Sequence, residues 1–151
     1  MSDVLDLTDV HLRRGSKTIL DRVSWSVSDG ERWVVLGPNG AGKTTALQMA
    51  AGRLFPTEGQ VHILGERLGT MDTSELRTRI GLASAALADR IPGSERVLDV
   101  VLTASYGVTG RWREDYDEYD TSRADDLLAA FGVLQLRDRT FGSLSEGERK
   151  R

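Results

Sequence analysis

Residues Gly37-Pro38-Asn39-Gly40-Ala41-Gly42-Lys43-Thr44 follow the spacing Gly-x-x-x-x-Gly-Lys-Thr, and the reading of this chain begins there. A triphosphate presents several closely spaced anionic oxygens, which converging backbone N–H groups can surround without side-chain obstruction. Gly37, Gly40 and Gly42 allow that close approach, with Pro38, Asn39 and Ala41 completing the loop. Lys43 then reaches the β- and γ-phosphates as a compact charge, and the Thr44 hydroxyl takes one position on Mg²⁺. Thr45 continues into a helix whose N-terminal dipole faces the same anion. The ligand expected is ATP with Mg²⁺; the bland alternative is a glycine-rich turn.

The flanks suit this reading. Trp33-Val34-Val35-Leu36 is a short apolar run of the kind found in buried strands, and Thr45 to Ala51 is a good helix former. Gly52 stands where a helix C-cap belongs.

At 151 residues the chain has the size of one ordinary domain. Its 20 Lys plus Arg against 23 Asp plus Glu give a net charge of -3, so nucleic acid is not expected as a partner. With no cysteine there is neither a disulfide framework nor a thiolate metal site. No apolar stretch reaches the length of a membrane span, and Met1-Ser2-Asp3-Val4 lacks the regions of a secretion signal, so a cytoplasmic location is expected. The lysines are Lys17, Lys43 and Lys150 against a background of arginine, and the two residue types are not interchangeable in such a loop.

Val4 to Thr8 and Val23 to Val27 alternate apolar and polar residues, as half-buried antiparallel strands do. Pro56 to Gly59 reads as a turn and Gln60 to Leu64 as another strand. Asp72 with Glu75 predicts a capping pair opening a short helix through Arg77, followed by a strand over Arg79 to Ala83. Apolar spacing then predicts helices over Pro92 to Ser105 and Ala124 to Phe131, within a helical insertion at about residues 90 to 140. Between them Glu114 to Asp120 carries five acids and two tyrosines, which reads as a solvated loop. His11 and His62 read as strand-surface residues.

A strand-rich start, the phosphate loop, a helical insertion and then Leu144-Ser145-Glu146-Gly147-Glu148 together resemble the nucleotide-binding domain of ABC ATPases over the whole chain. The pentapeptide is similar to the family's signature Leu-Ser-Gly-Gly-Gln, with Glu in its third and fifth positions. Ser145 and Glu148 also form an S-x-x-E capping box, so the same residues open a helix. The resemblance implies an α/β fold of the P-loop NTPase type, with an N-terminal antiparallel β subregion, an incomplete core sheet and an inserted helical subdomain. It implies one incomplete ABC ATPase domain, with residues 1–89 as the strand-rich core and 90–151 as the helical subdomain with the signature. It also implies that the Ser145 Oγ and the Gly147 N–H bind the γ-phosphate held by the phosphate loop of a second subunit, a homodimer being expected. The whole protein is then the ATP-hydrolysing subunit beneath transmembrane permease subunits, peripheral on the inner face of the membrane. The alternative is a soluble ABC-type ATPase without transmembrane partners, in repair, translation or regulation. A small-molecule kinase is a third class, for which Arg111 and Arg113 are the only hint of a substrate lid.

Three departures from the family pattern stand out. Arg14 occupies the place of the aromatic residue that stacks on adenine, and a guanidinium can stack on a base. Ala85 occupies the place of a glutamine that touches Mg²⁺ and the attacking water, a loss that casts doubt on the usual transport coupling; Ser84 beside it reads as structural. The chain stops at Lys150-Arg151, before the family's apolar strand ending in Asp-Glu and its switch histidine; Leu134 to Asp138 is the nearest approach to such a strand. The expectation is therefore an N-terminal part that binds nucleotide without completing hydrolysis. Without the neighbouring strand, the Trp33 run should leave apolar surface uncovered and favour aggregation or a partner.

Overall fold

A computed structural model describes residues 3–70, 72–108 and 115–151. The chain divides into two compact units, Met1–Ile80 and Gly81–Arg151.

In the first unit, strands β1 (Asp3–Arg14) and β2 (Lys17–Ser28) form a long antiparallel hairpin, followed by helix α1 (Lys43–Ala50), strands β3 (Glu58–Ile63) and β4 (Glu66–Arg67), and helix α2 (Thr73–Thr78). The sheet order is β2-β1-β3-β4, antiparallel throughout. Leu5 and Leu7 are buried two residues apart, but the next buried residue of β1 is Val10 and then Leu12. The alternation slips by one because the ladder bulges between Leu7 and Val10, where Asp9 takes a left-handed φ of 50°. The bulge keeps all four apolar side chains on one face. These four join Leu20, Val61, Ile63, Met49 of α1, Leu68 and Leu76 of α2 in one core. Gly59 passes the bulge so closely that a Cβ there would lie 2.4 Å from the Asp9 carbonyl oxygen.

Helix α1 ends as its sequence predicts. Gly52 adopts φ 64° and donates to the Met49 carbonyl, while the Arg53 N–H donates to Gln48, the paired bonds of a Schellman motif. Asp72 caps α2, but its carboxylate accepts the Ser74 N–H at 2.8 Å and the Ser74 hydroxyl at 2.6 Å, so the predicted pairing with Glu75 is replaced by a shorter local turn. His11 and His62 lie on β1 and β3, partly exposed, with His11 Nδ1 3.1 Å from Asp21.

Two predicted strands do not form. Trp33 to Leu36 pairs with no described strand, and Val34 and Leu36 are 80% and 86% exposed. A buried strand needs neighbours for its backbone groups, and apolar composition cannot supply them. The segment is tied instead by the Trp33 indole N–H to Glu31 at 2.9 Å and by an edge contact with Trp25 at 6.0 Å between ring centres. Arg79 to Ala83 is likewise irregular after Arg79 closes α2. The core sheet expected to carry these strands is absent among the described residues.

The second unit holds helices α3 (Ala85–Ala88), α4 (Val97–Leu102), α5 (Glu118–Ala130) and α6 (Glu146–Arg149), with 3-10 turns at Thr103–Tyr106, Leu134–Leu136 and Phe141–Ser143. Val97, Leu128, Val133, Leu136, Phe141 and Leu144 form its main core. The helix predicted from Pro92 starts only at Val97, because residues 93–98 are zipped to 137–142. Gly142 N–H donates to Gly93, Phe141 N–H to Glu95, Val97 N–H to Arg139 and Leu98 N–H to Arg137, at 2.8 to 3.0 Å. The acidic run also departs from expectation. Glu114 lies outside the described residues, but Asp117 caps α5 in a reciprocal capping box with Asp120, and Glu118 and Asp120 occupy the first turn. Carboxylates at that end satisfy free N–H groups and oppose the helix dipole, so the run is a start signal for α5.

Candidate nucleotide site

In the first unit, the phosphate loop leaves the irregular segment after β2 and enters α1. Gly40 and Gly42 take φ of 82° and 87°, left-handed values that other residues reach only with strain. Gly42 serves as the N-cap of α1 without a side-chain cap. Its Cα passes so near β2 that a Cβ would lie 2.9 Å from the Ile19 carbonyl oxygen and 2.8 Å from Leu20 Cδ2. The loop is closed by Ala41 N–H to Pro38 at 3.2 Å and by Ala46 N–H to Gly42 at 2.8 Å.

The N–H groups of Lys43, Thr44 and Thr45 form the first turn of α1, where no preceding helical carbonyl is in reach and no acidic side chain stands. Lys43 Nζ donates to the Gly37 and Pro38 carbonyls, each at 2.7 Å. These acceptors are neutral carbonyls, and no carboxylate of the described residues pairs with Lys43. Three N–H groups with no partner among the described residues, the Lys43 ammonium and the Thr44 hydroxyl are a donor set that fits a nucleotide phosphate with its cation. Arg14 is exposed at the end of β1, opposite Lys17 across the turn at Gly15.

In the second unit, Leu144 is buried in the core and anchors the signature segment. Ser145 is exposed and caps α6: its Oγ accepts the Glu148 N–H at 3.3 Å, while its own N–H donates to Glu148 Oε2 at 2.7 Å. The capping box read from the sequence is present. The bond from the Ser145 backbone, followed by the Ser145 side chain and the nearby Arg139, holds the Glu148 carboxyl below the usual range. Glu146 is exposed and pairs with Lys150 at 2.8 Å, and Gly147 has open space around it. Arg149 donates to the Gly142 carbonyl at 3.0 Å and lies 5.4 Å from the centre of the Phe141 ring. Ala85, where the resemblance implies a glutamine, opens α3, and Ser84 is its cap, accepting the Leu87 N–H at 3.1 Å. Arg111 and Arg113 lie outside the described residues. Sequence reasoning passed over Arg139, which bonds Glu148 nine residues away; that spacing belongs to no helical or strand period, so only the fold reveals it.

The ABC transporter family model matches residues 20–151. The uncharacterized ABC transporter ATP-binding protein YlmA of Bacillus subtilis is 36% identical over 149 residues, covering 98% of this chain and 56% of that protein. The hemin import ATP-binding protein HmuV of Thermobifida fusca is 35% identical over 137 residues, covering 91% of this chain and 46% of its own length. The chain thus spans about half the length of the curated relatives it matches. Among solved structures, a nucleotide-free ATP-binding cassette from an ABC transporter superposes with a TM-score of 0.75 at 23% identity, over 98% of this chain and 61% of that one. The cbiO1 protein of Clostridium perfringens, part of the ABC transporter complex cbiONQ, gives 0.74 at 21% identity, over 99% and 59%. At such identities the likeness shows the fold alone. The family model and the curated relatives carry the assignment: the chain belongs to the ABC transporter ATP-binding family.

Proposed function

We propose that the chain binds MgATP through Gly37 to Thr45 and is the nucleotide-binding part of a subunit whose ATP hydrolysis drives transport across a membrane. The observation that carries the proposal is the loop itself: left-handed Gly40 and Gly42, the open first turn of α1 and a Lys43 ammonium that pairs with no carboxylate among the described residues. Bound ATP supplies the phosphoanhydride to be cleaved and Mg²⁺ the charge that offsets its oxygens. The chain's own residues bind and orient: backbone N–H groups of the loop hold the phosphates, Lys43 exchanges its two carbonyls for phosphate oxygens, and Thr44 offers its hydroxyl to the metal. Arg14, on the strand-rich unit's surface, is the candidate for stacking on the base.

The signature segment completes the site of a second copy in this proposal. Ser145 Oγ–H and the Gly147 N–H are exposed donors and suit an anion brought by another subunit. Relatives named for hemin, phosphonate and cobalamin import support the transport reading and permease partners. Among the described residues no helix is long and apolar enough to cross a membrane. Binding of a fluorescent ATP analogue, with Lys43→Ala as control, tests the proposal; equal affinity of the two proteins would show the phosphate-loop assignment to be wrong.

Ala85 favours a second reading, a soluble ABC-type ATPase. The place of the coupling glutamine is taken by a methyl group at the start of α3, and Ser84 is engaged as a cap. Co-purification of membrane subunits with the gene product separates the two readings.

A further inference from the structure

Glu148 is clamped through both oxygens. Oε2 accepts the Ser145 N–H at 2.7 Å, and Oε1 accepts Arg139 Nη1 at 3.2 Å. The other end of the same guanidinium, Nη2, donates to the Ser143 carbonyl at 2.7 Å. The planar fork of an arginine can meet two acceptors at once, which a lysine does as a point charge without fixed direction. Arg139, Ser143, Ser145 and Glu148 therefore close a ring around the start of α6.

Arg139 is itself fixed. Its N–H donates to Leu136 at 2.9 Å, and its carbonyl accepts the N–H of Val97, the first residue of α4, at 2.9 Å. The ring is thus tied to the core of its unit through Val97, Leu136 and Phe141. At the far side of the ring, Ser145 Oγ accepts the Glu148 N–H at 3.3 Å, and the Ser145 side chain together with its backbone N–H holds the Glu148 carboxyl below the usual range. Ser145 is exposed, so the side chain that the ring fixes is open to a ligand.

We propose that Arg139 is a positioning residue for the signature serine, orienting the Glu148 carboxylate so that Glu148 fixes Ser145 at an exposed turn where it can meet an anionic ligand. This rests on the reading of Ser145 as a nucleotide contact across a dimer. It also gives the fifth-position glutamate a purpose: a carboxylate accepts from a guanidinium and an amide together at full charge, whereas a carboxamide has one neutral oxygen with which to accept.

The test compares the full chain with Arg139→Gln, Arg139→Lys, Glu148→Gln and Ser145→Ala. The amide exchange rate of Ser145 is read by NMR, and ATP-dependent association by sedimentation. Arg139→Gln should raise Ser145 exchange about two- to fivefold, the loss expected of one half-exposed ion pair, and weaken ATP-dependent association by a similar factor. Arg139→Lys should recover part of both. Glu148→Gln, which leaves the Arg139 bond to Ser143 intact, should raise exchange as well and covers the case in which Arg139→Gln fails to fold. Unchanged Ser145 exchange in a folded Arg139→Gln and in Glu148→Gln would overturn the clamp. If exchange responds but Ser145→Ala associates with ATP as the unaltered chain does, the reading of Ser145 as a ligand falls and the positioning role with it, by a different and distinguishable result.

Discussion

Gly42 is under two separate constraints, and they can be measured apart. Its φ of 87° strains any L-residue by roughly 1–2 kcal/mol. A Cβ there would also sit 2.9 Å from the Ile19 carbonyl oxygen and 2.8 Å from Leu20 Cδ2, an overlap with a backbone atom of β2 and a core side chain that costs about 1–3 kcal/mol to relieve. Gly40 shares the first constraint, at φ 82°, but a Cβ on it meets nothing within 4 Å. Gly40→Ala should therefore destabilise the first unit by about 1–2 kcal/mol and Gly42→Ala by about 2–5 kcal/mol. Urea unfolding of the full chain in a Trp112→Phe background isolates the fluorescence of Trp25 and Trp33, which touch edge to face within that unit. Equal losses in the two variants would refute the claim that the loop is seated against β2. Gly42→Ala should also weaken ATP-analogue binding more than Gly40→Ala, because moving its Cα away from β2 displaces the first turn of α1.

Other expectations follow from the same packing. Leu7 is 1% exposed at the centre of the sheet core, so Leu7→Ala should cost about 2–5 kcal/mol in the same unfolding assay, and a loss under 1 kcal/mol would contradict its placement. In the second unit Gly142 has an ordinary φ but a Cβ would lie 2.9 Å from the Gly93 carbonyl oxygen; Gly142→Ala should part the 93–98 and 137–142 zip at about 1–3 kcal/mol, read as amide exchange at Phe141 and Val97. The Asp72 carboxyl is held below its ordinary range, first by the Ser74 hydroxyl and then by the Ser74 N–H. A carboxylate depressed in the folded state stabilises it above the ordinary range and loses that contribution as pH falls through the lowered value, so α2 should fray below about pH 4. A Ser74 amide resonance that does not move between neutral and acidic pH would count against this. With Val34 and Leu36 so exposed, the chain should self-associate at high concentration and Val34→Lys with Leu36→Lys should reduce light scattering; a monodisperse, reversibly melting unaltered chain would sink the idea.

Local chemistry was legible in the sequence. The loop, the Schellman ending at Gly52, the cap at Asp72 and the capping box at Ser145 each depend on residues a few positions apart, and each is present. Strand length was harder, because the alternation in β1 breaks at the Asp9 bulge, so reading by period stops at Thr8 although the strand continues to Arg14. Trp33 to Leu36 and Arg79 to Ala83 show that a strand is a property of a pair: without a partner, the same apolar residues remain irregular. The acids before α5 were misread because charge density looks alike in a loop and at a helix start; only the Asp117 and Asp120 spacing distinguishes them. The Arg139 clamp was invisible for the plainest reason, since its partners meet through a turn of the chain that no periodicity encodes.

Lys43 folds back on the loop it serves, with its ammonium shared between Gly37 and Pro38. The lysine is thus a tether of the loop as well as the phosphate group's proposed partner. In the proposed site, capture of a phosphate trades two neutral acceptors for charged ones, so part of the attraction is offset by what the tether gives up. Truncating Lys43 consequently removes attraction and slackens the loop together, and an affinity loss in Lys43→Ala is the sum of both. Arrival rates, which sense charge at a distance, and residence times, which sense the shape of the loop, would divide that sum.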